Sequence, residues 1–180
     1  MGKNKIVQYG NPVLEKKSEK VEDVNSKETK VLVERMFEAI KNHGSGAAGL
    51  SAPQIGVLQR IAICKRVDLE TKEKKNKIDD EKLWVVMINP EITNQSKELS
   101  TRWEGCLSIN YGDLFGKVTR PKSVEVEYFD LKGSRKKLKA EGYFSHIVQH
   151  EMDHLNGVLF LKYISNPEEL YTGEELEQME

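Results

Sequence analysis

The segment Glu141-Gly142-Tyr143-Phe144-Ser145-His146-Ile147-Val148-Gln149-His150-Glu151-Met152-Asp153-His154-Leu155-Asn156-Gly157 decides how this chain is read. His150 and His154 stand four apart. On a helix such residues lie one turn above the other on the same face, so both imidazoles can meet on one metal ion. Glu151 adjoins the first of them, close enough to take a proton from a metal-activated water without being a ligand. Ile147, Val148, Glu151 and Leu155 fall at helical spacing, and Gly157 supplies a stop. A mostly apolar helix that buries His, Glu and His must give them partners, and a metal with its water does so. The bland alternative is a solvated helix face that carries two histidines by chance.

Two histidines leave a catalytic metal site short of a protein ligand. His146 continues the series, but helix geometry opposes it. Eight residues of helix rise about 12 Å, whereas ligand atoms on one ion lie about 3–4 Å apart. Cys64 stands in the apolar run Ile61-Ala62-Ile63-Cys64 and reads as a small buried strand residue. Cys106 follows a polar segment in Trp103-Glu104-Gly105-Cys106-Leu107-Ser108, beside a glycine that permits close backbone approach. A thiolate there would complete a Cys-His-His set.

Three ordered motifs now stand out: Gly49-Leu50-Ser51-Ala52-Pro53-Gln54-Ile55-Gly56, Glu104-Gly105-Cys106-Leu107-Ser108 and Gln149-His150-Glu151-Met152-Asp153-His154-Leu155. Together they resemble the motifs of the peptide deformylases, enzymes that remove the formyl group from the N-terminal formylmethionine of new proteins. The resemblance begins near Ile6-Val7-Gln8-Tyr9-Gly10-Asn11-Pro12 and reaches about Tyr163. The segment from Cys106 to Arg120 is similar to the longer form common in Gram-positive members. Departures from the usual pattern are Ala47 for glycine, Ser51 for alanine, Ile109-Asn110-Tyr111-Gly112 after the second motif, and His146 where the family usually has an apolar residue near the methionine pocket.

The resemblance implies a role for each matching position. Cys106, His150 and His154 would hold one divalent metal. Fe²⁺ is expected in the cell, and Zn²⁺ or Ni²⁺ in purified protein. Glu151 would take a proton from water as it attacks the formyl carbon and pass one to the leaving amine. The Gln54 side-chain amide and the Leu107 backbone N–H would donate to the oxyanion. Gly49 would let the substrate chain pass close and pair with backbone as an added strand; Leu50, Gly105, Tyr143, His146 and Ile147 would also bind substrate, with His146 bordering the methionine pocket. Glu104 and Arg120 correspond to an ion pair bracing the cysteine loop; the alternative is a surface pair worth little.

Composition fits a soluble cytoplasmic enzyme. Charged residues make up 32% of 180 residues and the net charge is −1, which gives no global attraction to DNA or to an anionic membrane. No apolar run approaches a membrane span. Met1-Gly2-Lys3-Asn4-Lys5 lacks an apolar signal core, and Ile6 stands where a myristoylation motif wants Ser or Thr. Two cysteines, one of them a ligand candidate, do not make a disulfide framework. The expected partners are N-formylmethionyl nascent peptides, with transient ribosome contact.

Residues 1–180 read as one catalytic domain, with 166–180 an acidic C-terminal tail whose end is expected to be mobile. A first helix is expected over 27–43, with Ser26 as N-cap, Gly44 as stop and Val33, Met36, Phe37 and Ile40 as its apolar stripe. His43 in its last turn reads as structural or surface. Strands are expected over 57–64, 83–89 and 123–130, and a turn at Leu131-Lys132-Gly133-Ser134 leads into 135–140. The charged run over 65–82 reads as a solvated loop. The fold class is α+β: mainly antiparallel β-strands around a central metal-binding helix, deformylase-like.

Two other readings use the same motif. A zinc peptidase would draw its third ligand from downstream, where Glu168, Glu169 and Glu174 lie in the acidic tail without an apolar helical pattern. A metal-binding homologue without catalysis would have no need of Glu151.

Overall fold

The structure is a computed structural model that describes residues 5–44, 46–69 and 83–179. Of the loop expected over 65–82, residues 70–82 lie outside the described residues. In chain order the main elements are α1 (Lys27–His43), β1 (Gly49–Ser51), β2 (Ile61–Lys65), β3 (Trp84–Gln95), β4 (Leu99–Gly105), β5 (Phe115–Pro121), β6 (Ser123–Phe129), β7 (Arg135–Glu141), α2 (Gly142–Leu155) and α3 (Gly173–Glu177). Five strands form an antiparallel sheet in the order β1-β2-β3-β6-β7, and β4 pairs with β5 as a separate antiparallel ribbon.

β2 shows why its run is apolar throughout. Successive side chains point to opposite faces of the sheet, and both faces are covered. Ile61 and Ile63 join Leu32, Val33, Met36 and Ile40 of α1 in one core. Ala62 and Cys64 join Phe144, Ile147, Val148, Met152 and Leu155 of α2 in another. Cys64 is therefore a packing residue under the helix, fully buried, with its thiol pushed up by burial and by the nearby Glu151.

α1 begins and ends where local chemistry dictates. The Ser26 Oγ accepts from the Thr29 N–H at 3.1 Å, and Gly44 leaves the helix at φ 101°. α2 stops at Leu155, and Gly157 follows at φ 72°. Arg60 anchors that end: its buried guanidinium donates to the Leu155 carbonyl at 3.4 Å and to Asn156 Oδ1 at 3.0 Å.

The structure corrects several boundaries. The strand expected from Val57 begins only at Ile61, because Gly56 turns left-handed at φ 80° and the next residues pair with Glu19 instead. β3 runs six residues past Asn89, to Gln95. Asn-Pro reads as a stop, but Asn89 takes φ 51° at a bulge, and its side-chain amide makes two 2.8 Å bonds to the Val21 backbone. β4 and β5 were not expected at all. β4 is exposed along much of its length, so it carries no clean apolar alternation to read. The tail is also docked. Phe115 and Tyr171 exchange backbone bonds of 2.8 and 2.9 Å, the Gly173 N–H reaches Asp113 Oδ1 at 2.8 Å, and a Thr172–Glu175 capping box starts α3.

Candidate metal and hydrolytic site

α2 lies against β1 and β2 on one side and approaches the β4–β5 ribbon on the other. The chemistry sits where these meet. Cys106 leaves β4 through Gly105, where a Cβ would run into the Phe115 ring. One ligand atom each from Cys106, His150 and His154 lie within 4.8 Å of one another, all three residues buried. Cys106 Sγ is 3.2 Å from His154 Nε2. Sulfur and imidazole donors at this separation fit one ion of zinc or ferrous type, with room left for a further ligand. Glu168, Glu169 and Glu174 are exposed on the tail and take no part in the cluster.

The His150 ring is oriented from behind. Its Nδ1 bonds Glu104 Oε2 at 3.0 Å, which leaves Nε2 for the ligand cluster. Burial lowers the His150 pKa, but the bonds to Cys106 and Glu104 outweigh it and raise it well above the ordinary value. Burial and the neighbouring His150 hold His154 well below its ordinary value, which favours the neutral ring that ligates. The Nδ1 of His154 finds no hydrogen-bond partner among the described residues.

Glu104 and Arg120 form a buried pair rather than a surface one. Arg120 Nε and Nη2 donate to the two carboxylate oxygens at 2.6 and 2.9 Å, with the side chains only 4% and 5% exposed. Arg120 Nη1 reaches Asp153 Oδ2 at 2.7 Å, and its guanidinium lies over the Tyr163 ring. Burial alone would raise Glu104. The bonds from His146, His150 and Arg120 reverse this and hold its carboxyl far below the usual carboxylate range.

Glu151 is the opposite case. It is buried, and its Oε2 has no hydrogen-bond partner among the described residues. Burial pushes its pKa up to about 7 against the opposing charge of His150. Gly49 owes its identity to this carboxylate, since a Cβ there would collide with the Glu151 side chain. Gln54, on the turn after β1, is buried and pinned by its own oxygen. Its Oε1 accepts from the Ser51 N–H at 2.8 Å and the Ser51 Oγ at 3.0 Å. Its Nε2 therefore turns to Ser108 Oγ at 3.3 Å and Cys106 Sγ at 3.7 Å.

These groups face a cleft of 460 Å³, whose walls include Gly49, Gln54, Gly105, Leu107, Tyr143, His146, Ile147, His150 and Glu151. The Leu50 side chain is fully buried in the α1 core, so what it offers a ligand is its backbone, on the edge strand β1. His146 stays outside the ligand cluster, as helix geometry requires; its ring nitrogens bond Glu104 and Ser100. His43 stands at the cleft wall and bonds the Tyr111 carbonyl at 2.9 Å.

Several contributors had gone unread. Gln8 straps the cysteine loop, donating to the Leu107 carbonyl at 2.9 Å and accepting from the Tyr111 N–H at 3.0 Å. Trp103, Phe115 and the tail residue Leu176 complete the walls. Asp153 was in view within the helix motif, and an acid one residue from a ligand is a usable signal for a bracing partner.

A helix-borne His-Glu-x-x-His face joined by a thiolate, on an α+β scaffold, defines a single-metal hydrolase centre. The chain matches the polypeptide deformylase family over residues 3–170. It is 38% identical to peptide deformylase 1 of Bacillus subtilis (strain 168) over 180 residues, covering 100% of this chain and 99% of that one. It is 37% identical to the peptide deformylase of Finegoldia magna over 169 residues, or 93% and 91% of the two chains. Among solved structures, it is similar to the peptide deformylase from Thermotoga maritima, with TM-score 0.75, 33% identity and coverage of 89% and 97%. It is also similar to the Met-Ala-Ser-bound class I type b peptide deformylase from Acinetobacter baumannii, with TM-score 0.75, 30% identity and coverage of 88% and 96%. The chain belongs to the polypeptide deformylase family, whose members remove the N-formyl group from new polypeptides.

Proposed function

We propose that Cys106, His150 and His154 hold one divalent ion, and that Glu151 moves the proton as the formyl group of an N-formylmethionyl peptide is hydrolysed to formate. The observation that carries this is the buried three-ligand cluster beside a carboxylate whose Oε2 has no hydrogen-bond partner among the described residues. When bound, the ion supplies Lewis acidity, which acidifies water and polarises the formyl oxygen. Fe²⁺ is the ion expected in the cell, with Zn²⁺ or Ni²⁺ in purified protein.

The chain's own residues do the rest. Glu151 accepts a proton from the attacking water and delivers one to the leaving amine. A carboxyl poised near neutrality can do both. Gln54 Nε2 and the Leu107 N–H donate to the developing oxyanion; the clamp of Ser51 on Gln54 Oε1 supports this by fixing which end of the amide donates. The substrate adds as a short strand along the free edge of β1, at Gly49 and Leu50, with its methionine side chain toward Gly105, Tyr143, His146 and Ile147. The tripeptide named in the Acinetobacter baumannii complex supports this class of ligand. Nascent chains as substrates imply action in the cytoplasm with transient ribosome contact. No described helix is long and apolar enough to cross a membrane.

Formate release from formyl-Met-Ala-Ser, with and without chelator, tests the reading. Release that stops with chelator, while an unformylated internal peptide stays intact, is the expected result. Cleavage of the internal peptide would indicate a peptidase instead. Metal analysis after anaerobic purification tests the ion, and full activity without iron would rule iron out as the required metal.

A further inference from the structure

Glu104 is a saturated acceptor. An ionised carboxylate offers about four lone-pair positions. Here Arg120 fills one on each oxygen, His146 Nδ1 adds a 2.9 Å bond at Oε1, and His150 Nδ1 adds a 3.0 Å bond at Oε2. Two histidines one helical turn apart thus grip the same carboxylate from opposite oxygens. A carboxylate beside Arg120 can only accept, so the His146 proton sits on Nδ1. The other ring nitrogen then accepts from the Ser100 hydroxyl at 2.7 Å. Ser100 is the cross-strand partner of Arg120 in the β4–β5 ribbon, so both supports of Glu104 spring from one place. His146 is 1% exposed, and neither of its nitrogens is spare for a substrate.

We propose that His146 is a positioning residue for the metal centre: the chain Ser100–His146–Glu104–His150 locks the Glu104 carboxylate so that it fixes the tautomer and plane of the His150 ring. This rests on the reading of His150 as a ligand. Without the His146 bond, Oε1 keeps only Arg120, and the carboxylate that orients His150 is held by one donor fewer. Groups that orient a metal-ligating histidine affect metal affinity, while a wall of the substrate pocket affects KM.

The test uses Co²⁺ as probe, with chelator competition for affinity and the visible spectrum for ligand geometry. His146→Leu is expected to weaken Co²⁺ retention about tenfold and alter the spectrum, while His146→Asn, which can still donate from the Nδ1 position, restores retention to within about threefold. Ser100→Ala, a mild change on β4, should shift both readouts in the same direction by less. With saturating metal, KM for formyl-Met-Ala-Ser should stay unchanged in Ser100→Ala, whose side chain is not among the cleft walls. Wild-type retention and spectrum in His146→Leu would overturn the proposal. So would equal weakness of the Leu and Asn variants, which would indicate packing alone. If His150→Ala retains Co²⁺ as the wild type does, the ligand reading itself fails, a result distinct from either of these.

Discussion

Helix α2 carries chemistry on one flank and its scaffold on the other, and two buried carboxylates show the difference. On the β4–β5 side, Glu104 receives a donor at every available position, and its carboxyl is driven far below the usual range. On the β1 side, Glu151 is also buried but has an oxygen without a hydrogen-bond partner among the described residues, and it is pushed up to about 7. Depth alone does not separate them. Donor supply does. A carboxylate with all its partners is a fixed anchor, and one denied them can still gain and lose a proton.

That contrast can be broken at four places. The largest effect belongs to the ligand cluster. Cys106→Ser replaces a thiolate with a hydroxyl that is not readily deprotonated, so metal content should collapse and activity with it. If Cys64→Ser loses the metal instead, the cluster has been assigned to the wrong cysteine.

Glu151→Gln comes next. It keeps size and shape but cannot accept the proton. Metal content should stay near wild type while kcat falls by about 10²–10⁴. The midpoint of thermal unfolding should hold or rise, because a buried acid without full partners is removed. Loss of metal together with activity would move Glu151 from the chemical flank to the scaffold.

Arg120→Ala attacks the other carboxylate and should show the reverse pattern. It leaves Glu104 and Asp153 buried or half-buried without their cation, at a cost of about 3–5 kcal/mol of stability. Denaturant unfolding would measure it. A loss below about 1 kcal/mol would mean the pair behaves like a solvated surface bridge.

The smallest effect is expected at Cys64→Ser. A hydroxyl placed in the apolar layer between β2 and α2 should cost about 1–3 kcal/mol, with metal content and kcat unchanged.

Much of the site was legible in the chain. The helix and its His, Glu and His were readable because a period of 3.6 residues places side chains by local geometry alone. The same spacing excluded His146 as a ligand. The caps of α1 were readable for a similar reason, since Ser26 and Gly44 act on backbone groups a few residues away. β4 was not readable, because a partly exposed ribbon needs no alternating pattern. Nor was the extension of β3 through Asn89-Pro90, where a turn signal was absorbed into a bulge by the side-chain bonds of Asn89 to Val21.

His146 marks the boundary most clearly. Its place on the helix, one turn before His150, follows from spacing, and so did the expectation that it would border the cleft. What its nitrogens touch did not. Glu104 lies 42 residues away in sequence and Ser100 lies 46 away, and only the pairing of β4 with β5 beside α2 brings them together. By itself, the sequence determined the catalytic helix, the donor types and the motifs that carry the family. The tertiary structure decided that Glu104 is saturated while Glu151 is not, and that the acidic tail contributes Leu176 to one wall of the cleft. Helical spacing is set by backbone geometry within a turn or two, whereas donor supply to a buried carboxylate depends on which distant segments the fold packs around it.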